Sequence, residues 1–273
     1  MFYIHSSGIV TINANTSVTL NEQFFTSRHI KLDRLTAMVE STTPAGAKED
    51  IYVNWRPQGG DNTIDWEFDR DYVPLDMIYG TPQYPYILSR NLELEDNYID
   101  FKIFNNNAFN VTLCIAFIGK LIDPNDRKIN KSLLERPDYK FHNYQIEEGV
   151  VGSGINVSRY GVATIPAGVV RAQAFFRNDY GSAFRINQLW QWLRPAVDIS
   201  FNMRLEDYSI PLTSNNVYVD QIFGSSDQRF DLKEDILMDF NEKLIMEFDN
   251  PMALANDISL NFGGDLYYKG KYF

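Results

Sequence analysis

The sequence predicts an all-β protein built as two tandem eight-stranded jelly rolls, a double jelly roll. Three observations predict it: an internal repeat, period-two apolar alternation, and a high aromatic content. Residues 97–122, NYIDFKIFNNNAFNVTLCIAFIGKLI, recur as residues 242–267, EKLIMEFDNPMALANDISLNFGGDLY. Ile99, Phe101, Ile103 and Asn105 map onto Leu244, Met246, Phe248 and Asn250. Leu113, Ile115, Phe117, Gly119 and Leu121 map onto Ile258, Leu260, Phe262, Gly264 and Leu266. Apolar residues two apart line one face of a β-strand. Phe and Tyr number 19 and 16, and aromatics favour strands and fill sandwich cores.

The repeat extends upstream in the same order. Asp76-Met77-Ile78-Tyr79-Gly80 matches Asp220-Gln221-Ile222-Phe223-Gly224, and Tyr86 and Leu88 match Phe230 and Leu232. Ile51-Tyr52-Val53-Asn54-Trp55-Arg56 matches Ile199-Ser200-Phe201-Asn202-Met203-Arg204. Phe24-Phe25 lines up with Phe175-Phe176, and Thr11-Ile12 with Thr164-Ile165. The spacing between copies drifts by a few residues, as insertions in loops require.

Taken in order, the first half carries expected strands at 8–13, 17–26, 29–40, 50–56, 63–68, 84–89, 97–105 and 110–122. The second carries them at 159–165, 168–177, 183–194, 197–205, 216–222, 229–233, 242–249 and 256–268. Turns hold Pro, Gly, Asn and Asp, as in Pro57-Gln58-Gly59-Gly60-Asp61-Asn62. Asn105-Asn106-Asn107 and Asn250-Pro251 read as the loop joining the last two strands of each copy. About eight antiparallel strands in each half fit two sheets packed face to face. The expected domains are 1–122, a connector at 123–158, and 159–273. The connector holds a short helix candidate at Lys128–Arg136. Gly149-Val150-Val151-Gly152-Ser153-Gly154 reads as a flexible turn, because the third glycine of a dinucleotide fingerprint and its βαβ context are missing. Lys269-Gly270-Lys271-Tyr272-Phe273 reads as a short tail.

A net charge of −11 argues against a nucleic-acid surface, which needs Lys and Arg to displace counterions. Lys128 with Lys131, and Lys269 with Lys271, are the small basic clusters. The chain has one cysteine, Cys114, so no internal disulfide forms; it reads as a small semi-buried strand residue. No apolar stretch reaches the ~18 residues of a membrane-spanning helix. The start, Met1-Phe2-Tyr3-Ile4-His5, lacks the features of a signal peptide, so folding in a cytoplasm is expected. Tripeptides at Asn15, Asn110, Asn130 and Asn156 match the glycosylation pattern, which matters only on a secretory route.

Catalytic signatures are sparse. The histidines His5, His29 and His142 show no short pairing, which excludes a His-rich metal centre of the bicupin kind. The G-x-S-x-G pattern of many serine hydrolases is absent. Asp61, Asp65, Glu67, Asp69 and Asp71 form an acidic run whose available chemistry is a Ca²⁺ site or a carboxylate pair. Alternation with Ile64, Trp66 and Phe68 assigns it instead to a solvated strand face. Trp190 and Trp192 share a strand, and Tyr79, Tyr84 and Tyr86 cluster around prolines. Sugar stacking is open to them, but packing is the usual role, as for Trp55 and Trp66. No catalytic, cofactor-binding or metal-ligating residue is assigned, and no enzyme activity is expected.

Two jelly rolls in about 270 residues, with the Ile78-Tyr79-Gly80 / Ile222-Phe223-Gly224 and Phe117-Ile118-Gly119 / Phe262-Gly263-Gly264 blocks, resemble the double-jelly-roll major capsid proteins. These belong to tailless icosahedral viruses, including membrane-containing bacteriophages. The resemblance is architectural and covers nearly the whole chain. It implies a structural capsid protein of the virion, assembled in the host cytoplasm. It implies a homotrimer whose six barrels fill a pseudo-hexagonal tile, with neighbouring capsomers and pentons as partners and an internal viral membrane nearby. Closed symmetry makes the capsomer and heterologous contacts extend the shell. The alternative from the sequence is a phage accessory head protein or adhesin that binds glycan or receptor through its loops.

Overall fold

The computed structural model describes residues 2–23, 29–44, 46–58, 73–78, 80, 84–95, 98–122, 137–179, 182–193, 195, 198–206, 212–225 and 227–267. The protein is all-β with several sheets, and its helical content is three single turns. Two compact units divide the chain: one is Tyr3–Pro124, the other contains Asn125–Phe273. This matches the duplication read from the sequence.

The first unit carries β1 (Phe2–Ser6), β2 (Val10–Ile12), β3 (Thr16–Gln23) and β4 (His29–Val39). A 3-10 turn (Ala47–Asp50) leads into β5 (Ile51–Gln58). Then follow β6 (Val73–Pro74), the one-turn helix α1 (Leu75–Ile78), β7 (Tyr86–Glu95), β8 (Tyr98–Asn105) and β9 (Val111–Ile122). One sheet runs β1-β9-β4-β7, with β2 also on β9; the other runs β3-β8-β5-β6. The printed pairings in both are antiparallel, for example Leu35 opposite Phe117 and Val53 opposite Ile103. Ile51, Val53 and Ile103 of one sheet and Leu32, Leu35, Ala37, Leu113, Ile115 and Phe117 of the other are buried.

The second unit carries β10 (Pro137–Gln145), β11 (Glu148–Gly149), β12 (Asn156–Val157), β13 (Ala163–Ile165), β14 (Val169–Arg177) and β15 (Ala183–Leu193). It continues with β16 (Ser200–Leu205), β17 (Val217–Tyr218), the one-turn helix α2 (Val219–Ile222) and β18 (Gly224–Ser225). It ends with β19 (Phe230–Met238), β20 (Lys243–Asn250) and β21 (Asn256–Tyr267). In one sheet β21 lies between β15 and the strands β10 and β13, and β15 also carries β18 and β19. The other runs β11-β14-β20-β16-β17. Aromatic rings join the two layers. Phe176 of β14 meets Phe262 of β21 with ring centroids 4.7 Å apart, and Tyr144 of β10 lies 5.2 Å from Phe176. Rings at such distances add tilted contacts to the area they bury, so the aromatic-rich composition goes into this inter-sheet core.

The order of pairing is the same in both units. The first strands lie on the last strand, which lies on the fourth-placed long strand, which in turn lies on the strand that follows the one-turn helix. α1 and α2 hold the repeated Asp76–Ile78 and Asp220–Ile222 blocks. The shared glycines have a steric cause. β4 is bulged between Leu32 and Arg34 and β15 between Ile186 and Gln188. Each bulge presses its backbone onto the last strand. A Cβ on Gly119 would collide with the Lys31 carbonyl, and one on Gly264 with the Arg185 carbonyl. Only glycine lets backbones approach this closely.

Several expectations are corrected. Residues 137–157, read as part of the connector, form strands of the second unit: β10 pairs with β21 from Pro137↔Tyr267 to Gln145↔Asn261, and β11 pairs with β14. β1 was not expected. Residues 216–222 are a two-residue strand plus a helical turn, because backbone bonding passes from Ser200↔Tyr218 to the turn closed by Phe223 N–H on Val219. β9 does not alternate: residues 113–119 are all buried, as in strands covered on both faces. Cys114 is therefore fully buried, with Sγ 3.3 Å from Ser6 Oγ. The strand expected at 63–68 and the helix expected at 128–136 lie outside the described residues.

Candidate functional site

Each unit ends in a tip formed by two loops: the loop entering β3 or β14, and the loop joining the last two strands. A buried asparagine at the end of the penultimate strand organises each tip. In the first unit Asn105 Nδ2 donates to the carbonyls of Ile12 (3.1 Å), Asn13 (3.2 Å) and Phe109 (2.8 Å). Its Oδ1 accepts from the Asn107 backbone N–H at 3.0 Å. In the second unit Asn250 Nδ2 donates to the carbonyls of Ile165 (3.3 Å), Pro166 (3.0 Å) and Leu254 (3.0 Å). Its Oδ1 accepts from the Met252 backbone N–H at 3.1 Å. These are the same bonds to matched positions, and both asparagines are fully buried. No other neutral side chain of this length offers two donors and an acceptor at once, which explains the repeated letter.

The backbones match as well. Asn15 (φ 53°) and Gly168 (φ 61°) occupy the same left-handed position. Their N–H groups donate to the matched carbonyls of Asn107 (3.1 Å) and Met252 (2.8 Å). Asn and Gly are the residues that tolerate this conformation. Behind the loops, Thr11 and Thr112 hydroxyls are 2.9 Å apart, and Thr164 Oγ1 donates to Asp257 at 2.6 Å in the matching place.

The side chains on this common frame differ. The first tip exposes Asn13, Asn15, Thr16, Ser17, Asn106 and Asn110. The second exposes Ala167, Gly168 and Val170 on one loop and Pro251-Met252-Ala253-Leu254-Ala255 on the other. Leu254 is 77 % exposed and Val170 73 %. Over residues 166–170 and 251–255 no side chain carries a hydrogen-bonding group. Single exposed apolar residues are ordinary; a contiguous group on one tip marks an interaction surface. The sequence signal was the run Pro251–Ala255, whose loop placement was read but whose full exposure was not.

The residues singled out from the sequence do not converge. His5 lies buried in β1, and desolvation lowers its pKa to about 3, so it is neutral. His29 starts β4 and the half-buried His142 belongs to β10 in the other unit. Among the described residues no three His, Cys, Asp or Glu side chains are grouped to hold a metal. The acidic run Asp61–Asp71 and Tyr79 lie outside the described residues. Tyr84 is exposed and Tyr86 half-buried. Trp190 and Trp192 do not form one platform. Trp190 is buried beneath Arg229, whose guanidinium carbon sits 4.3 Å from the ring centroid. Trp192 falls at the register break between Gln191 and Leu193 and is half-exposed. The bulge rotates it out of the alternation that pairs it with Trp190 in the sequence. A cavity of about 420 Å³ in the first unit is lined by Val39, Glu40, Thr43, Pro44, Lys48 and Asp76. It brings no nucleophile and base together.

No protein-family profile matches the chain, and no curated protein matches it in sequence. Among solved structures it is similar to the CUB1-EGF-CUB2 domain of human MASP-1/3, at 11 % identity and TM-score 0.20, over 94 % of this chain and 99 % of that one. The CUB1-EGF-CUB2 domains of rat MASP-1 match at 11 % identity and TM-score 0.20, over 93 % and 96 %. The CBM22-1-CBM22-2 tandem domain of Paenibacillus barcinonensis Xyn10C matches at 8 % identity and TM-score 0.18, over 97 % and 92 %. Likenesses this loose assign neither fold nor function.

Proposed function

We propose that the protein is a double jelly roll and serves as the major capsid protein of an icosahedral virion. The single observation that carries the reading is the twice-used strand order: first strands on the last, fourth-placed long strand beside it, and the complementary four-stranded arrangement in the second sheet. That order is the two-sheet Greek-key arrangement of a jelly roll, a fold that capsid domains use. Conserving the same frame twice in one chain suits a subunit that presents two similar barrels to a lattice. Three copies then give six barrels in a closed ring, and unequal contacts between rings extend the shell. The decorated loops, which differ between the units, supply the unequal contacts. The virion is the proposed location, with pentons and an internal membrane as neighbours.

Copy number tests the reading. In a purified particle that contains this chain, it is the dominant protein band, at 31.6 kDa. A minor band, with a different protein making the bulk of the shell, makes it an accessory head protein or adhesin instead.

A further inference from the structure

We propose that the tip of the second unit is a lipid-contact site that inserts Val170, Met252 and Leu254 into the interface of a neutral, zwitterionic bilayer. The first observation is chemical. Residues 166–170 and 251–255 are Pro-Ala-Gly-Val-Val and Pro-Met-Ala-Leu-Ala, without one charged or hydrogen-bonding side chain. A protein-binding surface carries polar groups that pair across the contact, about one hydrogen bond per 100–200 Å². This tip has none to offer.

The second observation concerns the backbone. Hydrocarbon demands that peptide groups find partners within the protein. Asn250 takes the carbonyls of Ile165, Pro166 and Leu254 and supplies an acceptor for the Met252 N–H. Gly168 N–H closes on the Met252 carbonyl, tying the two loops together. The apolar residues thus project from a braced frame. The first unit holds the same frame with asparagines, Thr16 and Ser17 on it, so the frame does not dictate an apolar tip.

Charge selects the kind of lipid. The chain carries −11, which repels an anionic membrane and is indifferent to a neutral one. The carboxylates bordering the tip are engaged: Asp249 accepts the Arg171 N–H at 2.6 Å and Asp257 accepts from Thr164. The inference does not depend on the capsid reading, because a single copy carries the whole site.

Flotation with phosphatidylcholine vesicles tests it on the full chain. The wild-type protein floats with the vesicles, Leu254→Asp weakens partition about tenfold by removing one large apolar anchor, and Val170→Asp weakens it comparably. Ala253→Trp strengthens partition, which keeps the test decisive where an aspartate variant folds poorly. Phe240→Asp changes an exposed apolar side chain at the opposite end of β20 and leaves partition unchanged. The proposal is overturned by a wild-type protein that stays unbound at millimolar lipid. It is equally overturned by flotation that Phe240→Asp abolishes as strongly as Leu254→Asp, or by self-association through the tip without vesicle binding.

Discussion

The two tips share a skeleton and differ in skin. Asn105 and Asn250 make matching sets of four hydrogen bonds, and Asn15 and Gly168 adopt the same left-handed turn. Yet one loop pair is amide-rich and the other wholly apolar. The difference separates residues that specify the fold from residues free to specify a partner. Buried groups that satisfy backbone cannot change without cost, whereas side chains projecting from the loops can.

Breaking the skeleton has the largest expected effect. Asn105→Ala or Asn250→Ala strands three carbonyls and an N–H behind each tip. Each costs about 3–5 kcal/mol in urea unfolding, from roughly 1–3 kcal/mol per unsatisfied buried group with partial rehydration. The two losses agree within about 1 kcal/mol if the tips share one frame. Unequal losses, with one near zero, break the comparison. Gly119→Ala and Gly264→Ala come next. The new methyl meets backbone carbonyls across the bulge, so each destabilises by about 1–3 kcal/mol, read as a lowered urea midpoint.

Acid distinguishes the units through His5. Its folded pKa is about 3 against 6.5 when exposed, so the unfolded chain binds the extra proton between those values. Stability rises with pH across this window and is fully present above 6.5. On acidification it is lost at about 1.4 kcal/mol per pH unit from this group. His5→Phe flattens the wild-type slope between pH 6 and pH 4, measured as urea midpoint against pH. An unchanged slope contradicts a neutral buried imidazole. The smallest effect belongs to the skin. Exchanging Val170, Met252 and Leu254 for Ser, Asn and Asn shifts stability by no more than about 0.5 kcal/mol per site, while vesicle partition disappears.

Much of this frame was legible in the sequence because its causes are local. Alternation fixed β14, β16 and β20, where one face is buried: their burial alternates along Ala172–Arg177 and Phe201–Leu205. The repeated Asn and Gly were visible as letters, though the bonds that require them were not. β10 was assigned to the connector because PDYKFHNYQ is largely polar, with Tyr144 as its deeply buried described ring. Its strand state comes from pairing with β21, more than a hundred residues away, which no local pattern encodes. β1 escaped for the opposite reason: buried on both faces, FYIHS has no alternation. Trp192 was paired with Trp190 by counting, and a bulge undid the count. Exposure of Pro251–Ala255 was hidden because apolar residues ordinarily predict burial.

The proposal that this duplicated frame builds a shell is tested most directly by the solution mass of the purified chain. Light scattering after size exclusion gives a single species near three times 31.6 kDa, the trimer that closes six barrels into a tile. A stable monomer at 31.6 kDa, unchanged as concentration rises, contradicts it.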